Sequence, residues 1–278
     1  MIEKLTLKTQ ESEFDYDKMY AECFVDLDKA IDKPDIVIGI GYHDYKGETY
    51  LNATFTVDEM SAIIAPKKSK KTFLKRSLIA GYIGGKSQNY FPSIVSMRKG
   101  EPYILDFDTE QGKYYAQRSF RGVQEMVGQK YKNYLPFGLK KYTDKERVQF
   151  IDAVINDPRY KGKIGLICID GIADLCTNTN DLERSKAVMD KLMKWNEGTH
   201  LIGVIHKTFE KERGRGHLGG TMQEKAETTI FLRTTDKDVK NSPVEVKQED
   251  ARGAPFDTFY FDLDLNTVTP KECEEIKW

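Results

Sequence analysis

No stretch of the 278-residue chain approaches the roughly 18 consecutive apolar residues that cross a bilayer as a helix. A membrane-spanning helix is therefore not expected. The first residues, MIEKLTLKTQESEFDYDK, lack the apolar core of a secretion signal. Cysteine is sparse: Cys23, Cys168, Cys176 and Cys273 form no C-x-x-C pair and have no neighbouring histidine. That excludes a zinc ribbon and a disulfide scaffold, and a reduced, cytoplasmic protein is the expectation. A charge excess is missing too, because 43 basic residues nearly cancel 44 acidic ones. Contact with a polyanion therefore has to come from a local patch. There is no internal repeat, low-complexity tract or linker, so the expected organisation is an N-terminal helical arm (1–33) followed by one domain (34–278).

What is present is an alternation of strand and helix patterns. Apolar residues from Phe14 to Ile31 fall near helical spacing and end at Pro34, which predicts a helix in the arm. Short strands follow Pro34 and lead into an apolar strand at 61–64. Helices are predicted over 72–83, 113–130, 144–156, 181–197 and 219–227. Strands are predicted over 102–108, 164–170, 201–206 and 228–232, and Ile164–Asp170 has the continuous apolar character of a parallel strand buried on both faces. Val244–Lys247 and the segment 256–263 alternate with period two around Arg252-Gly253, which predicts a closing antiparallel hairpin. The fold class expected is α/β, a mostly parallel sheet with helices on both faces.

Residues 65–72, Ala-Pro-Lys-Lys-Ser-Lys-Lys-Thr, follow the strand at 61–64 and open a helix. This is the outline of a phosphate-binding loop, in which backbone N–H groups cradle a polyphosphate, the lysine reaches its outer phosphates and the hydroxyl binds Mg²⁺. Ala65 and Lys70 occupy its two glycine positions. A glycine admits backbone angles that side chains resist, so both replacements are expected to weaken the loop. Two further features stand at strand ends. Asp170 closes a buried strand, with Asp174 beyond it, and a carboxylate there can hold the Mg²⁺ that the Thr72 hydroxyl also holds. Glu110, in Phe107-Asp-Thr-Glu-Gln, closes another and can polarise an attacking water.

The ordered set APKKSKKT, ILDFDTEQ, LICIDGIADL, LIGVIHK, RGRGHLGGTMQEKAET and VEVKQEDARG resembles RecA-type P-loop ATPases. Within them it is similar to plasmid RepA-type and DnaB-type hexameric replicative helicases, over residues 34 to 265. The resemblance implies a RecA-like fold, ATP and Mg²⁺ as cofactors, and a homo-oligomeric ring or filament acting on single-stranded DNA. It implies a nucleotide held by Ala65, Pro66, Lys67, Lys68, Ser69, Lys70, Lys71 and Thr72, and metal held by Thr72 and Asp170. It makes Glu110 the catalytic glutamate and places His206 where the γ-phosphate is sensed. Lys247 and Arg252 fall in the hairpin that supplies a cation to a neighbour's site, with Arg213, Arg215 and Arg233 as competitors. The basic segment 207–217 resembles a loop that contacts single-stranded DNA, with Lys207, Lys211, Arg213 and Arg215 on phosphates. Two other classes remain open: a non-hydrolysing nucleic-acid-binding protein on a degenerate RecA fold and, ranked last, a small-molecule kinase.

Overall fold

The computed structural model describes residues 14–176, 178, 181–207, 214, 216–234, 242–264 and 266–274. The chain forms two compact units, Met1–Lys33 and Pro34–Trp278. In the first, helix α1 (Tyr16–Cys23) starts on Asp15, whose carboxylate accepts the Lys18 N–H at 3.0 Å. It stops at Phe24 rather than Ile31. The reason is local: the Asp26 side chain accepts the Asp28 N–H at 3.1 Å, an Asx turn that competes with helical pairing.

The second unit contains β1 (Ile36–Tyr45), β2 (Glu48–Thr56), β3 (Met60–Ala65), α2 (Lys71–Ile83), β4 (Ile94–Ser96), β5 (Tyr103–Asp108), α3 (Lys113–Val127) and β6 (Tyr134–Gly138). It continues with α4 (Asp144–Ile155), β7 (Ile164–Asp170), α5 (Leu182–Trp195), β8 (His200–His206), α6 (Gly216–Lys225), β9 (Thr228–Thr234), β10 (Val244–Ala251), β11 (Phe259–Asp264) and β12 (Thr269–Cys273). Among the described residues the main sheet has nine strands in the order β12-β11-β10-β9-β3-β8-β7-β5-β6. Strands β9, β3, β8, β7, β5 and β6 are parallel, and β10, β11 and β12 close the sheet antiparallel. This is a RecA-like architecture. Strands β1, β2 and β4 form a separate small antiparallel sheet.

The continuous apolar runs reflect burial on both faces. Ile63 belongs to the same buried layer as Leu74 and Leu78 of α2, Val123 of α3, and Ile38 and Phe55 of the small sheet. Its neighbours Ala62 and Ile64 face the other way, against the layer made by Ile151 of α4, Leu192 of α5 and Met222 of α6. Ile63 and Ile64 have no exposed surface, and each contributes roughly 1.5–3 kcal/mol. Strand β6 was not expected from the sequence, because Pro136 sits in the middle of its five residues. It lies at the edge of the sheet, where a missing N–H costs no ladder bond.

His200, at the start of β8, is fully buried, with Nδ1 2.7 Å from the Thr56 carbonyl and Nε2 3.0 Å from the Ser61 hydroxyl. Burial pulls it down from 6.5 to about 4. The folded-state value is lowered, so the unfolded chain binds the extra proton between those two values. Stability that depends on neutral His200 is complete above pH 6.5 and is lost as pH falls through the window to 4. Urea unfolding across that window is expected to fall more steeply than for His200→Gln, by about 1.4 kcal/mol per pH unit at most. Equal slopes for the two proteins would contradict this role.

Candidate functional site

The strand order brings the carboxyl ends of β3, β8, β7 and β5 side by side. Ala65 stands opposite His206 across β3 and β8, and Asp108 opposite Asp170 across β5 and β7. The loop 65–72 leaves β3 at this edge and turns directly into α2.

The two glycine replacements are not equivalent. Ala65 is buried at the strand end and has an ordinary negative φ, so its methyl group introduces no backbone strain. Lys70 has φ 63°, as does Lys68, and both therefore sit in the left-handed region that glycine occupies freely. Each such residue costs on the order of 1–2 kcal/mol of conformational energy. The loop keeps a glycine-type path although lysines carry it. Its internal support is a bond from the Ser69 hydroxyl to the Pro66 carbonyl, 2.7 Å. Lys67 and Lys68 are exposed, whereas the Lys70 ammonium is anchored on the Ser242 carbonyl, 2.8 Å away, with Asp262 at 3.5 Å. The resemblance puts Lys70 among the residues that hold the nucleotide, but its ammonium is engaged by the Ser242 carbonyl and by Asp262 of β11 instead.

Helix α2 begins without a side-chain cap and without an acid in its first turn. Its leading N–H groups and the positive end of its dipole thus face the loop together with Lys71. Such an end is suited to receive an anion. Lys71, largely buried, points into the same space. Its Nζ lies 3.2 Å from Glu110 Oε1 and 2.8 Å from His206 Nε2, and His206 Nε2 is 2.9 Å from Glu110 Oε1. Burial alone would raise the Glu110 carboxyl, but the hydrogen bond from His206 and the charge of Lys71 hold it down at about 2. It is an ionised carboxylate at neutral pH.

One step toward the core, the Thr72 hydroxyl donates to Asp170 Oδ2 at 3.1 Å. Asp170 Oδ1 is buried and has no hydrogen-bond partner among the described residues. An orphaned carboxylate oxygen beside a hydroxyl is the donor set that Mg²⁺ takes, so the residues fit that ion. Beneath them lies Lys75, which the sequence reading did not select. It is fully buried, 2.9 Å from Asp106 Oδ1 and 3.5 Å from Asp170 Oδ2. Desolvation opposes its charge, but Asp106, Asp170 and Asp108 together hold it above its ordinary value. Asp106 also accepts from Tyr134 on β6, at 2.7 Å. Burial, with Asp170 alongside, pushes Asp108 up to about 6.

The remaining predicted residues lie elsewhere. Lys207 follows β8, and its N–H donates to the Ala65 carbonyl at 2.9 Å. Lys207 and Gly214 form an isolated antiparallel bridge. Lys211, Arg213 and Arg215 lie outside the described residues. Lys247 is exposed on β10 and pairs with Glu249 at 3.1 Å. Arg252 bonds to Glu59, which precedes β3, at the end of the sheet opposite the loop. Neither cation joins the site within its own chain.

No family model matches the chain, and no curated protein matches it. Among solved structures it is similar to a KaiC-like protein from the hyperthermophilic archaeon Pyrococcus horikoshii OT3. The TM-score is 0.51 at 12% identity, over 79% of this chain and 91% of that one. At that identity the likeness is one of fold.

Proposed function

We propose that the chain binds ATP with Mg²⁺ in the loop 65–72 and hydrolyses it, as a homo-oligomeric motor or remodelling protein on single-stranded DNA. The observation that carries this reading is the convergence of an uncapped helix start, Lys71, Glu110 and the Thr72–Asp170 pair at one sheet edge. The fold likeness supports a P-loop nucleotide site and leaves the DNA partner to experiment.

The chain's own residues have distinct tasks. Backbone N–H groups of the loop and of α2 bind the phosphates. Lys71 exchanges Glu110 for the outer phosphates. Glu110, released from that contact and ionised, takes a proton from the attacking water. His206, within reach of both, reports on the change. Thr72 and Asp170 hold Mg²⁺, which neutralises charge on the phosphates when bound. Lys247 and Arg252 act from a neighbouring copy, and Arg252 leaves Glu59 to do so. Lys207, Lys211, Arg213 and Arg215 bind the phosphates of the DNA strand.

A second reading, nucleic-acid binding without turnover, draws on one observation: lysines rather than glycines in the left-handed loop positions. Steady-state ATPase activity with and without single-stranded DNA separates the two. The motor reading expects turnover that DNA increases. DNA binding with no turnover under either condition overturns it in favour of the second.

A further inference from the structure

The turn that carries Glu110 is bound to the turn that carries the metal acid more closely than strand pairing requires. Asp108 Oδ1 accepts two N–H groups, from Glu110 at 3.0 Å and Gln111 at 2.7 Å, which shapes the turn after β5. The residue between, Thr109, is buried and reaches across to β7. Its N–H donates to the Asp170 carbonyl at 3.1 Å. Its hydroxyl lies 2.9 Å from the same carbonyl, 3.2 Å from the Gly171 carbonyl and 2.8 Å from Asp174 Oδ2. One hydroxyl hydrogen serves one of these acceptors at a time, so Thr109 sits at the hub of the turn.

Gly171 gives an independent sign of the same fit. Its φ is 101°, and a Cβ built there would stand 2.2 Å from Thr109 Oγ1 and 3.0 Å from Glu110 Cγ. Any side chain at 171 would press on both. On the far side Arg147 donates to the Asp174 carbonyl at 2.9 Å, holding the second turn against α4. This assigns a task to Asp174: it supports Thr109.

We propose that Asp108 and Thr109 are positioning residues that hold Glu110 at a set place relative to Asp170, so that the proposed base and the metal acid move as one piece. The inference rests on the hydrolytic reading above. It explains why the acid pattern is Asp-Thr-Glu: the aspartate shapes the turn, the threonine ties it to β7, and the glutamate is left to face Lys71.

The test compares Thr109→Val, Asp108→Ala and Asp108→Asn with the unmodified protein, measuring kcat, KM for ATP and the Kd for Mg–ATP. Thr109→Val and Asp108→Ala are expected to lower kcat by about tenfold or more, with Kd within about threefold, since small misplacement of a reacting group acts on rate. Asp108→Asn keeps an acceptor oxygen and is expected to restore most of kcat. A crystal structure of Thr109→Val is expected to show Glu110 displaced from Lys71, a readout that does not need turnover. Unchanged kcat in Thr109→Val and Asp108→Ala, or an undisplaced Glu110, overturns the inference. If the unmodified protein does not hydrolyse ATP, the hydrolytic reading fails instead, and the crystal structure alone decides the positioning role.

Discussion

Glu110→Gln is expected to lower ATP turnover by about 10²–10⁴-fold, the contribution of a positioned general base, while nucleotide binding survives. Binding should in fact tighten. The Glu110 carboxylate holds Lys71 at 3.2 Å, so phosphates have to displace it. An amide holds an ammonium less strongly than a carboxylate. The partly exposed pair is worth up to roughly 1 kcal/mol, which sets the expected gain in affinity at no more than about fivefold. Lys71→Ala is expected to behave oppositely, losing affinity before rate is measurable. Turnover unchanged in Glu110→Gln would remove this residue from the chemistry.

The second large effect is structural. Lys75→Met leaves Asp106 buried without its cation and takes the same support from Asp170. Removing one partner of a buried pair costs about 3–5 kcal/mol, which lowers the melting temperature by roughly 6–20 °C in a unit of this size. Restoring charge balance is expected to recover much of that loss. In Lys75→Met/Asp106→Asn the amide still accepts from Tyr134, and at least half of the single-variant loss should return. Thermal unfolding of the three proteins checks this. A single variant as stable as the unmodified protein would show that Lys75 is not needed to neutralise the carboxylates.

Much of the sheet could be read from residues 60–65, 164–170 and 200–206, because strands buried on both faces must be apolar throughout. Of the candidate site, what could be read is that Lys71, Thr72, Glu110, Asp170 and His206 come together, because chain order and strand ends place them there; their roles are those proposed above. Three things were not legible. Strand β6 is an edge strand carrying Pro136, and its pattern resembles a loop. The support of the site lies in Lys75, Asp106 and Asp108, whose signal was faint, charged residues inside the otherwise apolar segments ILDFD and FLKRSLIA that burial obliges to pair, and in Thr109, which carried no such signal. The loop was misjudged in one respect, since sequence treats Ala65 and Lys70 as equal departures. Only backbone angles show that strain falls on Lys68 and Lys70, with Ala65 free of it.

The central claim is that a phosphate site operates here with Ala65 and Lys70 in the loop's two glycine positions. Calorimetric titration of the purified protein with Mg–ATP, beside Lys71→Ala, tests it most directly. The account predicts saturable binding at one site per chain that requires Mg²⁺ for full affinity and is lost in Lys71→Ala. Absence of binding to the unmodified protein, or equal binding by the two proteins, would contradict it.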